Sequence, residues 1–270
     1  MAQETKSLGQ KDALDRFFTK KEVAKKCLDF ISNLSEYDCI IEPSAGSGNF
    51  SSQIKNCFAY DISPDAEGIE QKDWFQLDKN IFNKYNNILV VGNPPFGQQN
   101  TLAIQFFNEA AKFANTIAFI FPLSFKKDSV QNQLDLNFSL IKEMILDKDS
   151  FILNQQDYAV PCVFQIWQKQ DKKRTKKRLK TTTSLFDFTS KEKADFRIQR
   201  VGGNAGKAFF DLDRSSQSNY FIKNNTSLSN EDFVSLINNS CFPTIEFTVG
   251  PKSLSKGELI AILEEQIGEK

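Results

Sequence analysis

Residues 39–50 read CIIEPSAGSGNF and place a short apolar run directly before Glu42, Pro43 and the pair Gly46-x-Gly48. A short apolar run that is bounded by proline and glycine is typical of a buried strand. Glycines let the backbone after such a strand pass close to a ligand, and a following helix start offers free amides to an anionic group. The stretch therefore predicts a strand, a turn and a helix around a ligand, although a plain strand-to-helix turn has the same short signature.

Further apolar runs predict the other strands of a sheet, at residues 57–60, 88–91, 117–121, 140–146 and 160–167. Amphipathic segments lie between several of these runs, for example at 101–113, and an N-terminal helix is predicted with Thr19 as its cap and Glu22 completing a capping box. Alternating strands and helices predict an α/β fold with a mostly parallel sheet that is covered on both faces. Ligands bind such sheets beyond the carboxyl ends of the strands.

The composition changes after Trp167, where residues 168–183 read QKQDKKRTKKRLKTTT and are strongly basic with almost no apolar side chain. Such a segment is typical of a linker or an exposed arm. We therefore expect a catalytic domain over residues 1–168, a basic linker over 169–183, and a small accessory or target-recognition domain over 184–270. Within the last part, a helix is predicted from Lys256 to the end.

Composition excludes several classes of function. The chain has no histidine, which removes mechanisms that depend on an imidazole base or an imidazole metal ligand. The 34 basic and 34 acidic residues cancel, so any nucleic-acid partner would have to be bound by a local basic face. The five cysteines are well separated and favour reduced thiols, no metal site and a cytoplasmic location; they are Cys27, Cys39, Cys57, Cys162 and Cys241. No apolar stretch predicts a membrane span.

Asp61 ends the second predicted strand, in CFAYD at residues 57–61. A carboxylate at the end of the second strand of a nucleotide-binding fold is placed to bind a ribose diol. Asp61 is therefore the candidate ribose ligand, and a solvated aspartate at a strand end is the alternative.

Residues 88–97, ILVVGNPPFG, deliver Asn93, Pro94, Pro95 and Phe96 to the edge of the predicted sheet. An aromatic amine is a poor nucleophile, because its lone pair is delocalised into the ring. The side-chain oxygen of Asn93 and the carbonyl of Pro94 could accept the two amine hydrogens, and Phe96 could stack on the base. The motif predicts direct methyl transfer to an exocyclic amine, without a covalent intermediate, with these four residues as the catalytic set.

Over residues 15–168, the chain resembles the S-adenosylmethionine-dependent amino-methyltransferases, and among them the adenine-N6 DNA methylases. The resemblance rests on IEPSAGSGNF, on the tetrapeptide NPPF and on Phe17-Phe18-Thr19. It implies a Rossmann-like methyltransferase fold with a mostly parallel seven-stranded sheet, plus a small C-terminal domain. It also implies S-adenosylmethionine as cofactor, and it places Asp73 at the cofactor's adenine amine. The predicted cofactor-binding residues are Phe18, Thr19, Glu42, Pro43, Ala45, Gly46, Gly48, Asp61, Ile62, Asp73, Trp74 and Asn93.

The family uses a later aromatic residue on the second face of the base, and the candidates here are Tyr158, which we prefer, and Phe151. Either could instead be a packing residue at the end of the sheet. Lys173 and Arg174 in the basic segment, and Arg200 beyond it, are candidate phosphate contacts. The predicted substrate-binding residues are Phe96, Tyr158, Lys173, Arg174 and Arg200.

The NPPF motif does not identify the substrate, because similar motifs serve adenine in DNA, adenine or guanine in RNA, and glutamine in proteins. The basic segment and the C-terminal region favour a nucleic acid and, first, adenine N6 in DNA with the base flipped out of the helix. Adenine in RNA is the main alternative, glutamine a weaker one, and a partner-binding role without catalysis a further one. A DNA methylase could act beside a separate restriction endonuclease. The sequence specifies no oligomeric state.

Overall fold

The computed structural model describes residues 17–153, 155–248 and 250–268. Its strands, in chain order from β1 to β14, are Phe18–Thr19, Cys39–Glu42, Cys57–Asp61, Glu70–Gln71, Ile88–Gly92, Thr116–Pro122, Phe138–Ile145, Phe151–Leu153, Gln156–Tyr158, Cys162–Lys169, Phe186–Phe188, Phe196–Gln199, Ala208–Phe209 and Asn219–Asn224. Its α-helices, from α1 to α5, are Lys21–Phe30, Thr101–Ala110, Asp128–Gln131, Asn230–Asn239 and Lys256–Gly268.

A seven-stranded sheet forms the centre of the N-terminal part, with the strand order β4-β3-β2-β5-β6-β10-β7. Neighbouring strands from β4 to β6 pair in parallel, whereas β10 pairs antiparallel with both β6 and β7. Every residue of β2, β5 and β6 is buried, as expected for strands that are covered on both faces. The sheet confirms the predicted Rossmann-like α/β fold, and the predicted strands lie at the observed positions to within two residues at each end.

The contacts divide the chain into two compact units. The first comprises the described residues of Met1–Pro122 together with Gln133–Thr175, and the second comprises Leu123–Asn132 together with the described residues of Lys176–Lys270. This division differs from the predicted one, because Leu123–Asn132 belongs to the second unit and the basic segment divides after Thr175. Lys127 explains the first difference, since its ammonium donates to the carbonyl of Ser253 at 3.1 Å and pairs with Glu258 at 3.4 Å.

The second unit contains a four-stranded antiparallel sheet, in the order β11-β14-β12-β13, with α4 and α5 packed against it. Its buried core consists mainly of aliphatic and phenylalanine side chains from these elements. Helix α4 begins after Ser229, whose side chain accepts a hydrogen bond from the amide of Asp232. None of the described helices of either unit is long and apolar enough to cross a membrane.

Two local predictions are wrong. Thr19 does not cap the first helix but lies in β1, where it pairs with Phe151, and α1 begins at Lys21 without a side-chain cap. The glycine motif is followed by a short 3-10 helix at Ser51–Gln53 and not by an α-helix. In the first case, strand pairing with β8 outweighs the local capping signal, which is a tertiary effect that local sequence does not encode.

Candidate functional site

A cavity of about 390 Å³ opens at the carboxyl ends of β2, β3 and β5 in the first unit. The strand order reverses between β2 and β5, because the chain first adds β3 and β4 on one side and later β6 on the other. Open α/β sheets bind ligands at such a reversal, and the volume suits a small molecule. All the predicted cofactor-binding residues except Gly48 line this cavity, as do Pro94 and Pro95 of the predicted catalytic set.

The turn after β2 depends on glycine at Gly46. This residue has a φ of +50°, and a Cβ added there would lie 3.1 Å from the ring of Phe18. Its amide donates to a carboxylate oxygen of Asp61 at 2.8 Å. Gly48 lies behind the cavity wall, where its amide donates to the carbonyl of Ala45 at 2.7 Å. The turn thus brings the end of β2, the end of β3 and the N-terminal strand β1 together without a helix start.

Glu42 is buried at the end of β2, where one carboxyl oxygen accepts the amide hydrogen of Ser51 at 2.8 Å. Burial raises the pKa of this carboxyl from 4.5 to about 8; the Asp61 charge adds to the rise, and the hydrogen bonds from Ser51 oppose it. Gly92 leaves room for this side chain, because a Cβ there would lie 3.2 Å from the Cγ of Glu42. Glu42 is therefore an acid in the cavity wall whose pKa is held well above that of an ordinary carboxyl, chiefly by burial.

Asp61 and Asp73 are held by backbone amides. The two oxygens of Asp61 accept from Gly46 and Ser63, each at 2.8 Å, and Asp73 accepts from Phe75 at 2.9 Å. A carboxylate oxygen can accept more than one hydrogen bond, so both groups keep capacity for a ligand. Ile62 and Phe75 line the same part of the cavity and are 57% and 41% exposed, which leaves an apolar slot beside the two carboxylates.

Asn93 follows β5 and faces the strand β1 side of the cavity. Its side-chain nitrogen donates to the carbonyl of Phe17 at 3.2 Å, and its own carbonyl accepts from the hydroxyl of Ser44 at 3.2 Å. Because the amide nitrogen is directed at Phe17, the amide oxygen is directed away from it. That oxygen is buried and has no hydrogen-bond partner. A buried acceptor without a partner costs on the order of 1–3 kcal/mol, which a ligand donor would recover.

An aromatic cluster lies beside Asn93. The ring of Phe17 stacks on that of Tyr158, with centroids 5.1 Å apart and planes 10° apart, and it lies 5.9 Å from the ring of Phe96. Phe151 is fully buried and meets Phe17 edge-on at 6.5 Å. The structure thus brings Phe96 and Tyr158 into one cluster with Phe17. Phe96 is buried, as Phe151 is, and neither Phe96 nor Tyr158 lines the cavity.

The other predicted substrate-binding residues are not brought together. Arg174 folds back on the first unit, where its guanidinium donates to the carbonyls of Phe138 and Leu134, both at 2.9 Å, and lies over Trp167. Lys173 is exposed in the same unit, and Arg200 belongs to the second unit. These hydrogen bonds attach Arg174 to the end of the sheet. The nitrogen atoms that make them are therefore not directed at a substrate phosphate.

Several cavity residues were not predicted from the sequence. Phe75 and Phe106 contribute rings, Asn49 contributes an amide that donates to the carbonyl of Thr19 at 2.7 Å, and Lys72 adds a positive charge. Phe75 could have been predicted as a cavity residue, because it directly follows Trp74, which was predicted to bind the cofactor. Asn49 follows Gly48, so the glycine motif itself could have indicated it. Phe106 lies on α2, and only the packing of that helix shows which of its faces meets the cavity.

The cavity wall fits S-adenosylmethionine. Besides the oxygen of Asn93, the hydroxyl of Thr19 and the indole nitrogen of Trp74 are buried there without a hydrogen-bond partner. Buried polar groups are normally paired, so the atoms of Thr19 and Trp74 mark positions for polar groups of a cofactor, and the Asn93 oxygen marks a position for a hydrogen-bond donor of a second ligand. The cofactor offers a carboxylate, an ammonium group, ribose hydroxyls and an adenine ring, which match the acceptors, donors and apolar slot present. Among the described residues, no cluster of acidic or cysteine side chains could hold a metal ion.

Comparison with solved structures gives distant similarities. The chain is similar to a proposed RNA methyltransferase from Pyrococcus horikoshii (13% identity, 58% of this chain and 88% of that chain, TM-score 0.41). It is also similar to the 23S rRNA methyltransferase ErmE (12% identity, 58% and 71%, TM-score 0.42) and to an rRNA methylase from Streptococcus thermophilus (14% identity, 56% and 95%, TM-score 0.31). At these values the similarities carry no argument about the substrate of this chain.

Comparison of the sequence with protein families, in contrast to the comparison of structures, identifies a family for this chain. No match was found among curated proteins. A family model, described as the EDM2 methyltransferase-like domain, matches residues 21–181, which is more than half of the chain. This stretch contains the glycine turn, Asp61 and the NPPF motif, and with them most of the cavity. The chain therefore belongs to the EDM2 methyltransferase-like domain family.

Proposed function

We propose that the protein methylates the exocyclic N6 amine of adenine in DNA. The observation that carries the proposal is the side-chain oxygen of Asn93, which is buried, has no partner and lies in the wall of the cofactor cavity. An amine hydrogen would supply the missing donor. The hydrogen bond to the Phe17 carbonyl holds the amide in the orientation that this contact needs.

The cofactor would lie beside the two acids Asp61, at the end of β3, and Asp73, which follows β4. Asp61 would bind the ribose hydroxyls and Asp73 the adenine amine, while Ile62 and Phe75 would hold the faces of the adenine ring. Thr19 and the turn at Gly46 would bind the methionine end. When bound, S-adenosylmethionine supplies a methyl group that is made electrophilic by the sulfonium.

The chain's own residues would prepare the amine. The Asn93 oxygen and the Pro94 carbonyl each accept one amine hydrogen, which draws nitrogen electron density out of the base ring and toward the methyl carbon. The amine nitrogen would accept the methyl carbon as the carbon–sulfur bond of the cofactor breaks, and one amine proton would leave to solvent. Phe96 would stack on the base, with Tyr158 and Phe17 completing an aromatic wall.

The aromatic wall supports a planar base over a glutamine side chain as the substrate. A stacked base gains on the order of 1–3 kcal/mol from each aromatic contact, which a flexible amide would not recover. The basic residues after Lys169 are consistent with a polyanion. DNA in preference to RNA stays a prediction, and so does a role beside a separate restriction endonuclease.

The test is a transfer assay with labelled S-adenosylmethionine and, separately, unmethylated duplex DNA, total RNA and a protein lysate, followed by digestion and analysis of the methylated product. We expect N6-methyladenine in the DNA sample, and we expect Asn93→Ala to abolish it. Asn239→Ala, which removes an exposed amide in the second unit, serves as the matched control and should act like the wild type. Label only in RNA would replace DNA by RNA as substrate, and label only in glutamine would overturn a nucleobase target.

A further inference from the structure

Most cations of the second unit have carboxylate partners. Ion pairs join Lys191 to Asp213 at 2.6 Å and Lys223 to Asp195 at 2.8 Å. Others of this kind involve Lys127, Lys177, Lys180, Arg197, Arg214 and Lys252. Such pairs neutralise the surface locally, so these residues contribute little to binding an anion.

Arg200 and Lys256 differ from these cations. No carboxylate of the described residues lies within ion-pair distance of either, and the Nε of Arg200 is buried without a hydrogen-bond partner. Instead both cations lie over the same ring. The guanidinium of Arg200 is 5.2 Å from the centroid of Tyr220, and the ammonium of Lys256 is 5.9 Å from it and 4.2 Å from that of Phe188. Two unpaired cations are therefore held beside one aromatic pair.

The backbone keeps the two cations together. Arg200 directly follows β12, and its carbonyl accepts from the amide of Leu254 at 2.8 Å. The ring of Tyr220 is held in place by its hydroxyl, which donates to the carbonyl of Leu254 at 3.1 Å. Glu258 is the nearby acid on α5, but it is already engaged by Lys127 and by the amide of Ser255. Burial raises the pKa of the Tyr220 phenol, and Glu258 lies close enough for its charge to add to the rise, but it forms its ion pair with Lys127 and not with Arg200 or Lys256.

We infer that Arg200 and Lys256 form a binding site for the backbone phosphates of a nucleic acid. Neither cation has an anionic partner among the described residues, so a phosphate group would supply one, and the aromatic contacts already restrict both side chains, which lowers the entropic cost of binding. Phe188, which is half-buried beside Lys256, offers part of a ring face to a sugar or base. The inference deepens the proposed function, on which it rests for the class of substrate.

The test measures the affinity of the full chain for a labelled oligonucleotide, single-stranded and duplex, over a range of salt concentrations. The double variant Arg200→Gln/Lys256→Gln should bind about tenfold more weakly and lower the salt dependence by roughly one to two phosphate contacts. Lys191→Gln/Lys223→Gln, which removes the same charge from paired residues of the same unit, should leave the salt dependence near that of the wild type. Lys256→Gln alone, at an exposed position, should lose about one contact.

Equal salt dependence in the wild type and the Arg200/Lys256 variant, or equal losses in both double variants, would overturn the site. A calorimetric titration with inorganic phosphate gives a second arm, and binding of phosphate without any change in oligonucleotide affinity would make it a small-anion site instead. Since these measurements need no methyl transfer, they succeed or fail independently of the transfer assay. Unchanged S-adenosylmethionine binding by each variant shows that the first unit is intact.

Discussion

Asn93 offers a sharp test, because aspartate has nearly the same shape but no amide hydrogens. In Asn93→Asp, a carboxylate oxygen would face the Phe17 carbonyl where the amide nitrogen now donates at 3.2 Å. We expect kcat to fall by at least about tenfold, while the affinity for S-adenosylmethionine stays within about threefold. Single-turnover rates and calorimetry measure the two quantities. A variant with wild-type kcat would show that the orientation of the Asn93 amide is unimportant.

Glu42 predicts how stability depends on pH. Its pKa in the folded protein is raised to about 8 from an ordinary 4.5, so the folded state binds this proton more tightly than the unfolded state. The stabilisation is fully present below the unfolded pKa and is lost as the pH rises toward the folded pKa. Glu42→Gln cannot ionise and should lose less stability between about pH 5 and pH 8, by roughly 5 °C in Tm. If Tm changes with pH to the same extent in the wild type and in Glu42→Gln, the raised pKa of Glu42 is contradicted.

Gly92 is the second position at which glycine matters for the site. It has a φ of +147°, and an added Cβ would lie 3.2 Å from Glu42. Gly92→Ala should lower the free energy of unfolding by about 1–3 kcal/mol and weaken cofactor binding, because Glu42 must shift. Gly203→Ala is the matched control, since an added Cβ there meets nothing within 4 Å. Urea titrations of both variants decide, and equal losses would refute the steric argument.

Among the elements, the small sheet β1-β8-β9 holds one ring of the aromatic wall, that of Tyr158. Tyr158 in β9 stacks on Phe17, which directly precedes β1. Tyr158→Ala should raise the KM for the nucleic-acid substrate about tenfold, because one stacking face is lost. Tyr158→Phe keeps the ring and should behave like the wild type. A normal KM in the alanine variant would place the base elsewhere.

The buried strands of the central sheet could be predicted from the sequence because each is a short apolar run that is bounded by residues typical of turns. The pairing of β1 with β8 could not, since it joins residues such as Thr19 and Phe151 that are far apart in the chain. Helix α4 was missed although Ser229 and Asp232 give a capping signal before Phe233. Boundaries set by local chemistry are visible in a sequence, whereas those set by distant partners are not.

The residues of the candidate site likewise include some that could be predicted from the sequence and some that could not. Asp61 ends a predicted strand, and Asn93 and Gly46 follow two others within a few residues, so topology alone brings them to one edge of the sheet. Their roles stay predictions, although the cavity includes them all. Arg174 shows the limit, because its position in a basic segment suggested a phosphate contact and its side chain instead bonds two carbonyls of the first unit.

At the scale of the whole molecule, the two units predict separable effects. Phe233 is fully buried in the second unit, with its ring 5.6 Å from that of Phe196. Phe233→Ala should destabilise that unit by about 3–5 kcal/mol and weaken oligonucleotide binding. Binding of S-adenosylmethionine at 20 °C or below, measured by calorimetry, should change little. An equal loss of cofactor affinity would show that the units fold as one cooperative body.

The segment Leu123–Asn132 has a consequence for how the protein is made. It leaves the ribosome between β6 and β7 of the first unit, yet its partners Lys177, Ser253 and Glu258 are synthesised later. Until then, Lys127 lacks the carbonyl and the carboxylate that it contacts in the folded chain. These ten residues can therefore reach all of their folded contacts only after Glu258 has been synthesised, although the residues on either side of them belong to the first unit.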